Sequence, residues 1–192
     1  MKLGVLVEGH GEHYAAPILV RRIAASLGVT EVTTTVIRQP RTVILKPGEL
    51  ERAVTLLANK VGEQGAVLVL IDADDDPACE LAPTLLRRAQ TTRPDRPIGV
   101  VLAVREYEAW LLTAASSLRG KRGLPADLEA PTVPEAIRDA KGWLDQRMPR
   151  GYSPTADQPA LTGLFDLELA RSSPSFDKLV RELTRLLLPC AP

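Results

Sequence analysis

The run Val67-Leu-Val-Leu-Ile71 passes straight into Asp72-Ala-Asp-Asp-Asp76, five aliphatic residues followed by four carboxylates in five positions. The apolar part is short, partly β-branched and without alternation. It reads as a strand covered on both faces, as in a parallel sheet. The acids then follow the carboxyl end of that strand, the edge at which open α/β sheets bind ligands. Asp72, Asp74 and Asp76 lie two apart, so an extended backbone would aim all three the same way. Carboxylates held together repel, by about 4 kcal/mol per pair near 4 Å at an effective dielectric of about 20. A raised pKa on one of them, or a bound cation, relieves this. Hard oxygen donors favour magnesium, manganese or calcium. The plainer reading is a solvated acidic loop leading into a helix, whose N-terminus Asp also caps.

The same pattern recurs along the chain. Lys2 to Val7 is a second buried-strand candidate, ending in Glu8-Gly9-His10-Gly11-Glu12, where two glycines allow a tight turn and close backbone approach. A helix is expected over Glu12 to Leu27, with Pro17 moving its start toward Ala15 and Gly28 stopping it. Val32 to Ile37 reads as a less buried strand, Arg38 to Lys46 as a loop, Pro47 to Gln64 as a helix and Pro77 to Thr91 as another. Pro97 to Val104 is a fourth strand that runs into Arg105-Glu106-Tyr107-Glu108, the start of a further helix. Strand and helix thus alternate over residues 1–115, the pattern of an α/β fold with a mostly parallel four-stranded sheet. From Ser116 the texture changes to a helical extension, residues 116–192. Helices are expected there over Glu135 to Met148, Ala160 to Ala170 and Ser175 to Leu188, with an irregular stretch from Pro149 to Pro159.

Acids therefore follow three buried strands: Glu8 and Glu12 the first, Asp72 and Asp74 the third, Glu106 and Glu108 the fourth. In a parallel sheet these ends share one edge, which makes a single metal-binding carboxylate cleft the expectation. Composition excludes several alternatives. Lys plus Arg and Asp plus Glu are 24 each, so a generic basic nucleic-acid glove is not indicated. Aromatics at 4% do not furnish a stacking platform. No apolar run is long enough to span a membrane, Met1 to Val7 is no signal peptide, and Cys79 and Cys190 form no metal-like spacing, so a cytoplasmic location is expected.

Val7-Glu8-Gly9-His10-Gly11-Glu12 followed by Ile71-Asp72-Ala73-Asp74 resembles a Toprim domain, the metal-binding catalytic module of topoisomerases, primases, small repair proteins and OLD-type nucleases. The second glutamate, four residues after the first, is similar to the OLD-type nucleases in particular. Nearly the whole chain resembles the small stand-alone bacterial family DUF4276, including Arg105-Glu106-Tyr107-Glu108-Ala109-Trp110-Leu111, Gly151-Tyr152-Ser153 and Leu167-Glu168-Leu169-Ala170-Arg171. Members of that family tend to be encoded near an ATPase and are suspected of phage defence. The resemblance implies a Toprim-like, Rossmann-like fold and a Mg2+- or Mn2+-dependent nuclease acting on DNA or RNA. Glu8 becomes the general acid/base or a metal ligand, Asp72 and Asp74 magnesium ligands, and Glu12 and Glu106 the completion of a second metal position. Asp76 joins the metal set by its spacing. The resemblance also implies a lysine after Tyr152-Ser153. This chain has Pro154 there, leaving Lys121, Arg105 or Lys141 to take its part.

Two ions can clamp the attacking and leaving oxygens of a phosphodiester. Arg105 would hold a phosphate bidentately, Arg38, Arg41 and Lys46 the strand backbone, and His10 an auxiliary phosphate contact. His10 and His13 around Glu12 lack the spacing and third ligand of a zinc site, and Gly9-x-Gly11 is too short for a dinucleotide fingerprint. Ser116, Ser117 and Thr33 to Thr35 have no partnering base. Trp110, Leu111, Leu112 and Trp143 read as core, Arg87-Arg88 as a solvated helix face, and Cys79 as an inert residue at a helix start. The alternative function is a catalytically inactive regulatory subunit of an ATPase complex, docking through the helices after Ser116. A receiver-like phosphoacceptor domain would distribute its acids differently.

Overall fold

Four strands, β1 (Lys2–Val7), β2 (Thr33–Arg38), β3 (Ala66–Asp72) and β4 (Ile98–Ala103), lie side by side in the order β2-β1-β3-β4. Every pairing is parallel, with Leu6 opposite Val69 and Asp72 opposite Ala103. The computed structural model describes residues 1–188. Cys190 and the end of the 116–192 extension lie outside the described residues. The expected α/β, Rossmann-like architecture is present, and the sheet is wholly rather than mostly parallel.

All seven residues of β3 are buried, which explains the missing alternation. Leu68 and Leu70 enter one core together with Val5, Val7, Val101 and Ala103. Val67, Val69 and Ile71 enter the other with Leu6, Val100 and Leu102. The first face is covered by α1 (His10–Ser26), α5 (Glu108–Thr113), α7 (Pro154–Thr162) and α9 (Pro174–Leu187). The second is covered by α3 (Glu49–Val61) and α4 (Ala78–Thr92), with the short α2 (Arg41–Ile44) beside them. Because strand side chains alternate, Asp72 inherits the face of Leu68 and Leu70 and points under the first layer.

Several expected elements are redrawn. α1 starts at His10, not near Ala15, and keeps Pro17 inside it. The lost backbone bond there is offset by burial of Ala15, Ala16, Leu19, Val20 and Ile23. The Arg38 to Lys46 loop contains α2. The helix expected over Glu135 to Met148 is a 3-10 turn, Pro134–Ala136, followed by α6 (Ala140–Asp145), because the Asp139 side chain accepts from Gly142 N at 2.8 Å and caps a new start. The supposedly irregular 149–159 stretch yields α7, since Pro154 sits at a helix start, where its missing N–H costs nothing. The helix expected over Ala160 to Ala170 is split at Gly163 into the end of α7 and α8 (Leu167–Ala170). Trp143 is only partly buried, with the Arg147 guanidinium 3.8 Å from its ring centre. Arg88 forms a fork with Glu51, at 2.7 and 2.9 Å, instead of facing solvent freely.

The extension closes over the first face. α7 packs along α1, and α9 packs on β4. α9 begins at Ser173-Pro174-Ser175, with Ser173 Oγ accepting from Phe176 N. It is keyed to α5 by Trp110 Nε1 donating to Ser175 Oγ at 2.8 Å and by the Phe176 ring, 5.3 Å from Trp110 and 5.6 Å from Phe165. Truncating a fully buried phenylalanine costs about 3–5 kcal/mol. Phe176→Ala should therefore lose that much in urea unfolding, and a loss below about 1 kcal/mol would contradict this packing.

Candidate metal centre

Three carboxylates that are distant in sequence meet beneath the first helical layer. Glu12 is 5% exposed, Asp72 4% and Glu108 0%. One oxygen from each lies within 4.8 Å of the other two. Glu12 comes from the first turn of α1, Asp72 is the last residue of β3, and Glu108 opens α5. β1 and β3 are the neighbours at which the strand order reverses, and ligands of such sheets bind at that switch point.

Each carboxylate is positioned through one of its oxygens. Asp72 Oδ1 accepts from Tyr107 N at 2.8 Å, Glu108 Oε1 from the Tyr152 hydroxyl at 2.9 Å, and Glu12 Oε1 from Gln158 Nε2 at 3.2 Å. The two glycines of the β1–α1 turn are needed for close approach. A Cβ on Gly9 would lie 2.0 Å from Glu12 Oε2, and one on Gly11 would lie 1.9 Å from Gln158 Oε1. Lys141, in the first turn of α6, brings its Nζ to 3.2 Å from Glu108 Oε2, 3.4 Å from Glu106 Oε2 and 3.8 Å from Asp72 Oδ2.

Buried carboxylates without full pairing resist ionisation. Burial pushes Asp72 well above the usual range, and the Lys141 ammonium only partly opposes it. Glu108 is raised by burial, again against Lys141. Glu8 is pushed up to about 7 by burial and by the charges of Glu12 and Asp74. Burial works against the Lys141 ammonium, but Glu108, Asp72 and Glu106 more than offset it, so it stays charged. Among the described residues, Glu8 Oε2 and Glu12 Oε2 are buried without a hydrogen-bond partner, while Glu108 Oε2 faces the Lys141 ammonium at 3.2 Å. Such groups are costly to bury unless a proton or a cation compensates them. An all-oxygen donor set at this spacing fits a hard cation, whose bonds of about 2.0–2.6 Å would span it. The cluster can therefore hold a metal ion.

Other expected site residues take different places. The strand ends at Asp72 and Asp74 is left-handed, φ 51°, so Asp74 and Asp76 leave the direction of Asp72 and are exposed. Both pair with Arg41, whose Nε lies 3.6 Å from Asp74 Oδ2 and 3.1 Å from the Asp72 carbonyl. Arg41 thus braces the acidic turn. Arg105, also left-handed at φ 63°, pairs with Asp75, as does Arg138 at 3.3 Å. Arg105, Arg138, Asp74, Asp75 and Glu106 line an opening of about 260 Å³. Glu106 borders it and accepts from Lys141 N at 3.2 Å. Arg38 donates to the Glu8 carbonyl at 3.4 Å, and Lys46 and His10 are exposed. The resemblance points to Glu106, whereas Glu108 is the residue that meets Glu12 and Asp72. The available signal was that Glu108 sits inside the apolar run from Tyr107 to Leu112. Gln158 carried no such signal.

The raised acids set a pH dependence. Between 4.5, the ordinary value for Glu8, and about 7, the folded chain keeps a proton that the unfolded chain has lost. Stability therefore falls as pH rises through that window and levels above it. Melting in a chelator should show this decline, with a shallower slope in Glu8→Gln. Identical slopes in the two proteins would contradict the burial of Glu8.

No curated protein and no solved structure matches the chain. The family described as "Domain of unknown function (DUF4276)" matches residues 7–184, a span that contains Glu8, Glu12, Asp72, Glu108, Lys141 and Gln158. The chain belongs to the DUF4276 family.

Proposed function

We propose that this protein is a metal-dependent phosphodiesterase of the Toprim type, a nuclease for DNA or RNA that works with Mg2+ or Mn2+. The observation that carries the reading is the meeting of Glu12, Asp72 and Glu108 from three separate segments, with buried oxygens left unpartnered. The Glu8-Gly9 turn after β1 and the Asp72-Ala73-Asp74 end of β3 support the Toprim assignment. Glu12, Asp72 and Glu108 hold the ion, with Glu8 beside them. When bound, the ion supplies charge neutralisation at the phosphoryl oxygens.

The chain's own residues supply the rest. Glu8, whose carboxyl is raised in the metal-free chain by burial and by the charges of Glu12 and Asp74, is the group that exchanges a proton with the attacking or leaving oxygen. Arg105 and Arg138, at the rim of the opening, are placed to receive a phosphate in exchange for Asp75. Burial of Asp72 and Glu108 lowers the local dielectric and would strengthen their hold on an ion. The association with a neighbouring ATPase in phage defence, implied by the resemblance, belongs to this proposal, as does a cytoplasmic location. Among the described residues no helix is long and apolar enough to cross a membrane.

Plasmid DNA and RNA cleavage with Mn2+ or Mg2+, with and without the neighbouring ATPase, tests the reading. The pair Asp72→Asn plus Glu108→Gln should lower the rate by about 100-fold or more, and an unchanged rate overturns it. Gln158→Leu removes the hydrogen bond that orients Glu12. Loss of such an outer contact weakens metal binding by about 10–100-fold, which calorimetry with Mn2+ would read directly.

A further inference from the structure

The site already contains one cation of its own. Lys141 Nζ is surrounded by Glu108 Oε2, Glu106 Oε2 and Asp72 Oδ2 at 3.2, 3.4 and 3.8 Å. These are contact distances for an ammonium among carboxylates. The oxygens of the Glu12, Asp72 and Glu108 cluster define a neighbouring position. The two positions share Asp72 and Glu108, while Glu12 belongs only to the first and Glu106 only to the second. Two adjacent cation positions bridged by shared carboxylates are what a two-ion clamp requires. Here the second position is filled by a side chain.

Lys141 is fixed there at both ends. Its backbone N–H donates to Glu106 Oε2 at 3.2 Å, and Asp139 caps the same turn of α6 through Gly142 N at 2.8 Å. An ammonium at this point leaves no room for a second doubly charged ion between Glu106 and the two shared carboxylates. The first position, by contrast, keeps an unmet demand for charge, because Glu12 Oε2 is buried without a hydrogen-bond partner among the described residues.

We propose that the Lys141 ammonium permanently occupies the second cation position, so that the site binds a single divalent ion, held by Glu12, Asp72 and Glu108. This rests on the metal-dependent reading above and replaces the two ions that the resemblance implies with one ion plus one lysine. The fixed charge takes over the neutralising role of a second metal, and Lys141 acts as a positioning residue for Glu106, Glu108 and Asp72.

Mn2+ titration of the full chain, followed by calorimetry and by electron paramagnetic resonance, tests this without any activity measurement. The wild-type chain should bind one Mn2+ with the six-line spectrum of an isolated ion. Lys141→Met, which keeps most of the side chain's length without its charge, should bind two and show the broadening of a coupled pair. Two ions in the wild type overturn the lysine assignment while leaving metal binding intact. A single ion at unchanged affinity in Lys141→Met overturns it as well. No Mn2+ bound by the wild type overturns the metal-dependent reading and this inference with it. The wild-type stoichiometry stands by itself should Lys141→Met fail to fold.

Discussion

A carboxylate at the end of a strand buried on both faces must be neutralised, and Asp72 sets that demand for the whole site. The alternation of β3 turns it beneath α1, α5, α7 and α9 and not into solvent. Once there it is 4% exposed, with Glu12 and Glu108 beside it. Hydrogen bonding secures one oxygen of each acid, leaving the others to a proton, an ammonium or a metal. The fold does not avoid this cost; Gly9 and Gly11 keep the space open that lets the acids and Gln158 crowd together.

Around this dry interior stands a second, wet layer of charge. Asp74, Asp75 and Asp76 are exposed, and each is paired with an arginine: Arg41 takes Asp74 and Asp76, while Arg105 and Arg138 take Asp75. Asp74 and Arg105 are both left-handed and joined by an isolated bridge. Side chains other than glycine adopt that conformation at some cost, and such outliers gather at functional sites. The exposed pairs contribute little stability individually. Asp74, Asp75, Arg105 and Arg138 border the opening beside Glu106.

Much of this was legible in the sequence. The aliphatic run of β3, the Gly-rich turn after β1 and the strand before Arg105 gave the parallel sheet and brought acids to one edge. What was not legible has physical reasons. Extended geometry through Asp76 would align the three acids, whereas the chain leaves the strand at Asp72 and turns left-handed at Asp74. Glu106 and Glu108 look equivalent by position. Only the start of α5 turns Glu108 fully inward, with Glu106 left at the rim. Gln158 lies on a helix that opens with Pro154, where proline had suggested irregular structure. Lys141 was one of three candidate lysine substitutes, and the choice among them needed α6 to be placed in space.

Diffraction from crystals soaked in Mn2+, recorded at the manganese absorption edge, tests the central claim most directly. The account expects an anomalous peak bonded to Glu12, Asp72 and Glu108. Clear density for those three side chains with no peak between them, or with manganese bound only at the exposed Asp74 to Asp76 turn, would contradict it.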